Sequence, residues 1–189
     1  MQEFFRKLIH LVFGLLIAGM VEVAGKTDAA MILAGGLFIG VVMVDLILRG
    51  YRLPFFSVLL THFDRNDCLP GKGALMFAVS ALVCVILFPV SVAVPAIVTL
   101  AVLDGVTTMA GQSFGRHRIY NGKSFEGTAS GITVTTVVLL VFMNPAGALA
   151  VAVLAGIIEL ISPVDDNLII PVAVGVLLTL MPGVLVAAG

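Results

Sequence analysis

Residues 104–128 read DGVTTMAGQSFGRHRIYNGKSFEGT, a polar passage punctuated by glycine and set between two segments of almost pure hydrocarbon. An aspartate, Asp104, sits near the end of an apolar helix. A basic turn of Arg116, His117 and Arg118 follows, and then Gly122, Lys123, Ser124, Glu126 and Gly127. Ammonium, guanidinium and backbone N–H groups suit phosphate, while carboxylates suit the Mg²⁺ that accompanies it. The passage therefore reads as a place to hold a charged, phosphate-bearing ligand at a membrane surface.

The flanking sequence sets the fold class. Of 189 residues, 60% are hydrophobic and only 11% charged, and the mean hydropathy is +1.20. A soluble domain of this size needs a far more polar surface, so the composition predicts an integral membrane protein. Stretches of about 17 to 22 mostly apolar residues, the length that crosses a hydrocarbon core, fall at roughly 4 to 22, 29 to 48, 73 to 90, 94 to 112, 127 to 143, 146 to 162 and 168 to 187. The linkers are short and marked by Pro89, Pro95, Asn144-Pro145 and Pro163, which suits antiparallel neighbours. The expectation is an all-α polytopic transmembrane helix bundle of about seven spans, with residues 1–189 forming a single membrane-embedded domain. The first apolar run lacks a small-residue cleavage site followed by soluble sequence, so it is expected to be retained. Cys68 and Cys84 give neither a disulfide framework nor a metal spacing. No basic excess points to nucleic acid.

Placed on this topology, nine of the ten basic residues share the side of the N-terminus and Lys26 alone lies opposite. The positive-inside rule then makes the N-terminus cytoplasmic. Only Glu22 and Asp28 of the acids face out. Acids do not obey that rule by themselves, and a cytoplasm-facing site with metal-binding carboxylates accounts for their clustering. Tyr51 to Phe63 is apolar but too short to cross, and reads either as an interfacial segment guiding a lipid or as a loop covering helix ends.

Four groups of residues have chemical potential. In the first helix Glu3, Arg6, Lys7 and His10 fall on one face, and charge that far into an apolar segment is costly unless it meets protein or water. Asp104 continues through Thr108 and Gly111 along one face of the fourth span, and an intramembrane aspartate requires a partner, either Mg²⁺ or a basic group from the first helix. Gly122-Lys123-Ser124 is not a P-loop, because His117 stands where the motif needs glycine and no strand precedes it. Even so, Gly122 and Gly127 free the backbone to approach an anion, and the fifth helix starts beside them with its N-terminal dipole. Glu126 is either a capping-type carboxylate or a metal ligand. Lastly, Glu159 precedes Asp165-Asp166-Asn167, of which one caps the last helix and the others offer a Mg²⁺ site.

Four pieces together resemble the polyprenol kinase family, which includes dolichol kinase, phytol kinase and CTP-dependent diacylglycerol kinase. They are Arg6-Lys7-x-x-His10, Asp104-Gly105…Gly111…Phe114-Gly115-Arg116, Lys123-Ser124-Phe125-Glu126-Gly127-Thr128, and Glu159…Asp165-Asp166-Asn167 with Pro171. The chain departs from the family in having Leu103 where glycine usually precedes the aspartate. The family is also similar to the membrane cytidylyltransferases that make CDP-lipids. The resemblance implies transfer of the γ-phosphoryl group of a nucleoside triphosphate, typically CTP, to the hydroxyl of a membrane lipid alcohol, with Mg²⁺ as cofactor and the site on the cytoplasmic face of the cell membrane. It implies that Lys123, Arg116 and the backbone of Gly122 and Gly127 bind the triphosphate, helped by Arg6, Lys7, Gly111, Gly115 and Ser124. Asp104 would be a Mg²⁺ ligand or the general base, Glu126, Glu159, Asp165 and Asp166 further metal candidates, and His10 a group orienting Asp104 or a phosphate. Two other readings compete. A cytidylyltransferase would attack the α-phosphorus and release pyrophosphate, and an ion- or proton-coupled transporter would carry polar residues through the outer halves of its helices, where this chain has almost none.

Overall fold

The computed structural model describes residues 2–51, 71–120, 122–162 and 165–185. Among them the chain is mainly helical, with helices α1 (Gln2–Leu48), α2 (Lys72–Leu87), α3 (Val90–Phe114), α4 (Phe125–Leu139), α5 (Pro145–Ile161) and α6 (Asp166–Leu180), followed by a 3₁₀ turn, Pro182–Val184. The expected interfacial segment after Tyr51, Cys68 and Pro163 lie outside the described residues.

The expected seven full spans are corrected by length. Within α1 the first two runs are two helical stretches that meet at Gly25, whose φ of 75° and ψ of 175° lie outside the helical region and suit glycine. Among the described residues, only α1 and α3 are long and apolar enough to cross a membrane. The remaining helices have 16, 15, 17 and 15 residues. At ~1.5 Å per residue they extend roughly 22–26 Å, short of a hydrocarbon core of about 30 Å. Their ends explain the shortfall. The Ser124 hydroxyl accepts from Gly127 N, starting α4. Asn144 Oδ1 accepts from Gly147 N at 2.8 Å, with Pro145 following at the first helical position. The Asp165 side chain accepts from Asn167 N, starting α6. These N-caps start the helices slightly before the expected runs, and the shortening lies at the opposite ends, where α2, α4 and α6 stop at Leu87, Leu139 and Leu180.

Helix α3 is the axis of the bundle and packs against all five other helices. From Val92 to Gly105 every residue is buried, which explains why its sequence shows no polar face. Pro95 is accommodated in its second turn, and its carbonyl accepts a hydrogen bond from the Thr99 hydroxyl at 2.7 Å. Contact with α4 is closest where glycines meet. A Cβ on Gly127 would stand 2.6 Å from Thr107 O and 3.0 Å from Gly111 Cα, and one on Gly131 would collide with Thr107 Cγ2. Leu103, the departure from the family pattern, is fully buried against this contact. The crossing brings the start of α4, and with it Ser124 and Lys123, against the last turns of α3.

Candidate functional site

Polar residues from all six helices converge on one cleft of about 680 Å³. Its walls come from the first turns of α1 (Glu3, Arg6, Lys7), the start of α2 (Lys72, Gly73), the second half of α3 (Asp104, Thr107, Thr108, Gly111, Gln112), the loop and start of α4 (Arg118, Gly122, Lys123, Ser124, Thr128), and the α5–α6 junction (Glu159, Ser162, Asp165, Asp166, Asn167). Residues far apart in sequence meet because α1, α4 and α6 all surround the same end of α3.

Asp104 is 2% exposed, and its two carboxylate oxygens both accept from Lys7 Nζ, Oδ2 at 2.5 Å. This is the basic partner from the first helix that so buried an aspartate requires. His10, one turn deeper, places Nε2 3.7 Å from Asp104 Oδ2 and stacks edge-on against Phe77 at 4.7 Å. That nitrogen is buried without a hydrogen-bond partner. Arg6 pairs with Glu3, yet its Nε is likewise buried and unpartnered.

Across the cleft, Lys123 Nζ donates to Glu159 Oε1 at 2.9 Å, to the Glu159 carbonyl at 2.8 Å and to Asp166 Oδ2 at 3.0 Å. Burial works against the lysine charge, but the two carboxylates outweigh it and hold its pKa above the ordinary lysine value. Glu159, 3% exposed, also accepts from the Thr107 hydroxyl at 2.7 Å through Oε1. Its Oε2 is buried with no hydrogen-bond partner. Asp104, Glu159 and Asp166 each bring a carboxylate oxygen within 4.8 Å of the others. An oxygen-only donor set with an open buried acceptor fits a hard divalent cation such as Mg²⁺, and these three residues would hold it.

Other expected site residues stand outside this carboxylate group. Glu126 is not part of the carboxylate group. It accepts from the backbone of Arg116 at 3.1 Å and of His117 at 3.2 Å, and meets His117 Nδ1 at 2.5 Å. The His117 hydrogen bond and the surrounding backbone donors push its pKa down to about 2. It therefore fastens the loop. Asp165 caps α6, receiving Asn167 N at 3.2 Å and Asn167 Nδ2 at 2.9 Å, and lies 3.9 Å from Lys72 Nζ. Arg116 is exposed outside the cleft wall, while Arg118 lines it and donates to the Gly122 carbonyl. Gly111 and Gly122 line the cleft, with Gly122 at φ +72° in the turn. Gly115 and Gly127 instead pack on Ser124: a Cβ on either would come within 3.0 Å of its side chain.

Sequence reasoning missed Thr107, Gln112 and Lys72 as cleft residues. Thr107 had a readable signal, because Asp104, Thr107, Thr108 and Gly111 recur at i, i+3, i+4 and i+7 on one helical face. Lys72 had none, since nothing local in sequence ties the start of α2 to Asp165.

Fold and site together define an all-α protein whose apolar bundle carries a buried, charge-dense cleft at one end. The chain belongs to the same family as Uncharacterized protein MJ1137 of Methanocaldococcus jannaschii, with which it is 34% identical over 176 residues, 90% of each chain. No family model matches the chain, and no solved structure gives a significant match.

Proposed function

We propose that this protein is an integral membrane enzyme that transfers the γ-phosphoryl group of a nucleoside triphosphate, CTP by the family resemblance, to the hydroxyl of a membrane isoprenoid alcohol or related lipid. One observation carries the reading: Asp104, Glu159 and Asp166 converge with Lys7 and Lys123 in a cleft at the end of an otherwise apolar bundle. Phosphoryl transfer asks a protein chiefly for alignment and charge neutralisation, and this cleft concentrates both kinds of charge.

Membrane insertion is supported by large side chains left uncovered, including Phe13, Leu16, Phe38 and Val141 at 61%, 62%, 71% and 77% exposure. A soluble monomer seldom exposes so broad an apolar surface. We place the chain as a polytopic bundle in the cell membrane with its N-terminus and cleft on the cytoplasmic side, following the distribution of Lys and Arg. Helices as short as α4 and α6 are accommodated by a locally thinned bilayer.

In this reading Arg6, Lys7, Lys123 and Arg118 neutralise the triphosphate, and the unpartnered Arg6 Nε is one donor held ready for it. Asp104, Glu159 and Asp166 would hold Mg²⁺, which would supply positive charge to offset that of the triphosphate. The lipid oxygen bonds to the γ-phosphorus as the bond from that phosphorus to the β,γ-bridging oxygen breaks, and the nucleoside diphosphate leaves. We assign Asp104, on the cleft wall, to receive the hydroxyl proton, with His10 Nε2 3.7 Å behind its Oδ2 orienting the carboxylate. The lipid reaches the cleft laterally from the bilayer, between helices.

The test offers purified protein in nanodiscs CTP labelled separately at the α and γ positions, with Mg²⁺ and a mixture of prenols, diacylglycerol and phosphatidate. Label from the γ position in lipid is the expected result. Label from the α position with pyrophosphate release would make the protein a CDP-lipid synthase, and no lipid labelling with any nucleotide would sink the enzyme reading in favour of transport.

A further inference from the structure

Lys123 is fully committed within its own protein. An ammonium has three N–H donors, and three acceptors lie within 3.0 Å of Lys123 Nζ: the Glu159 carbonyl, Glu159 Oε1 and Asp166 Oδ2. It has no donor to spare for a phosphate. Glu159 and Asp166 are also two of the three carboxylates that come within 4.8 Å of one another. A Mg²⁺ ion sits ~2.0–2.1 Å from its oxygen ligands. An ammonium against the same two carboxylates competes with such an ion for the lone pairs and repels it as a like charge. The Lys123 side chain is 27% exposed, on a loop residue directly after the left-handed Gly122, so its flexible stem has a path into the cleft.

We propose that the Lys123 ammonium is the resting counter-ion of the Glu159–Asp166 part of the cluster, and that a divalent cation enters by displacing it toward the phosphates of an incoming nucleotide. The exchange keeps the buried carboxylates neutralised at every stage. With no nucleotide, the metal must strand the lysine. With a nucleotide, the displaced ammonium gains a new anionic partner, so metal and nucleotide each promote binding of the other by the same factor. The nucleotide half of this proposal rests on the kinase reading above, whereas competition between Lys123 and metal does not.

The test uses the full chain in nanodiscs and Mn²⁺, counted by its electron paramagnetic resonance signal. In the wild type, Mn²⁺ alone is expected to bind weakly, and at least ten-fold more tightly when a non-hydrolysable CTP analogue is present. Lys123→Met is expected to bind Mn²⁺ alone at least ten-fold more tightly than the wild type and to lose most of the enhancement by nucleotide. Lys123→Gln, which keeps a hydrogen-bond donor near Glu159, is the second variant should Lys123→Met fail to fold. Adding Asp166→Asn to either variant is expected to abolish the gain and so locate it. Unchanged or weaker Mn²⁺ binding in the Lys123 variants overturns the proposal. If the analogue tightens Mn²⁺ equally in wild type and variant, displacement falls and the kinase reading stands. If the variants tighten Mn²⁺ but no nucleotide binds, the kinase reading falls and the counter-ion role stands.

Discussion

Breaking the Lys7–Asp104 pair tests the geometry on which the site depends. Lys7 Nζ donates to both oxygens of a carboxylate that is 2% exposed, while the lysine side chain is itself 14% exposed. Removing one member of a buried pair costs about 3–5 kcal/mol because the other charge is left uncompensated. Lys7→Met strands Asp104, with only His10 nearby at 3.7 Å, and is expected to cost about 3 kcal/mol. Asp104→Asn strands the lysine, whose stem lets its ammonium reach the cleft, so it is expected to cost about 2 kcal/mol. The double variant leaves neither charge unpaired. It is expected to lie about 2 kcal/mol closer to the wild type than the sum of the singles, a coupling in the range of contacting residues. In a chain of this length 1 kcal/mol shifts Tm by about 2–4 °C, so Lys7→Met lowers Tm by roughly 6–12 °C in nanodiscs. Additivity of the two changes within about 0.5 kcal/mol would refute direct contact between these residues and with it the placement of α1 beside Asp104.

Further outcomes follow from other contacts. Gly131→Val drives a branched side chain into Thr107 where a single Cβ already collides, and we expect a loss of about 1–3 kcal/mol, read as a lower Tm, with Gly35→Val, where a Cβ meets nothing, as the silent control. Thr107→Val keeps the shape but removes the donor to Glu159 Oε1; it is expected to cost about 1–3 kcal/mol, with Thr107→Ser restoring most of it, and equal effects of Val and Ser would contradict a hydrogen-bonding role. Glu126 has a folded pKa of about 2 against an ordinary 4.5. Its hold on the loop is therefore complete above pH 4.5 and lost as pH falls toward 2. Amide exchange at Arg116 and His117 is expected to stay protected at pH 5 and to open toward pH 2, while Glu126→Gln opens it already at pH 7. Chelation of divalent cations is expected to abolish lipid labelling, and Glu159→Gln to raise the metal concentration needed to restore it.

Much of the site was legible because its chemistry is rare in this chain. With only 11% of residues charged, each acid or base within an apolar run demands a partner, and Lys7, His10, Asp104, Lys123, Glu159 and Asp166 stand out on that ground alone. Glu126 and Asp165 stood out equally, yet one fastens the Arg116–His117 loop and the other caps α6. A carboxylate at a helix start suits a cap as well as a metal, and only the position of neighbouring N–H groups separates the two. Boundaries failed for a related reason. Hydropathy sees the apolar run but not the backbone turns that stop α2, α4 and α6 at Leu87, Leu139 and Leu180.

By itself the sequence determined that this is a helical, strongly apolar chain whose charged groups gather toward one end of its helices, because hydrophobic period and charge placement are properties of short windows. Tertiary structure decided which charges meet. Lys7 reaches Asp104 across 97 positions and Lys123 reaches Glu159 across 36, distances over which no local pattern specifies a partner. Those pairings depend on how closely α1 and α4 approach α3, and that approach is set by the side chains absent at Gly14 and Gly105 for α1 and at Gly127 and Gly131 for α4, a property of the packed interface rather than of either helix alone.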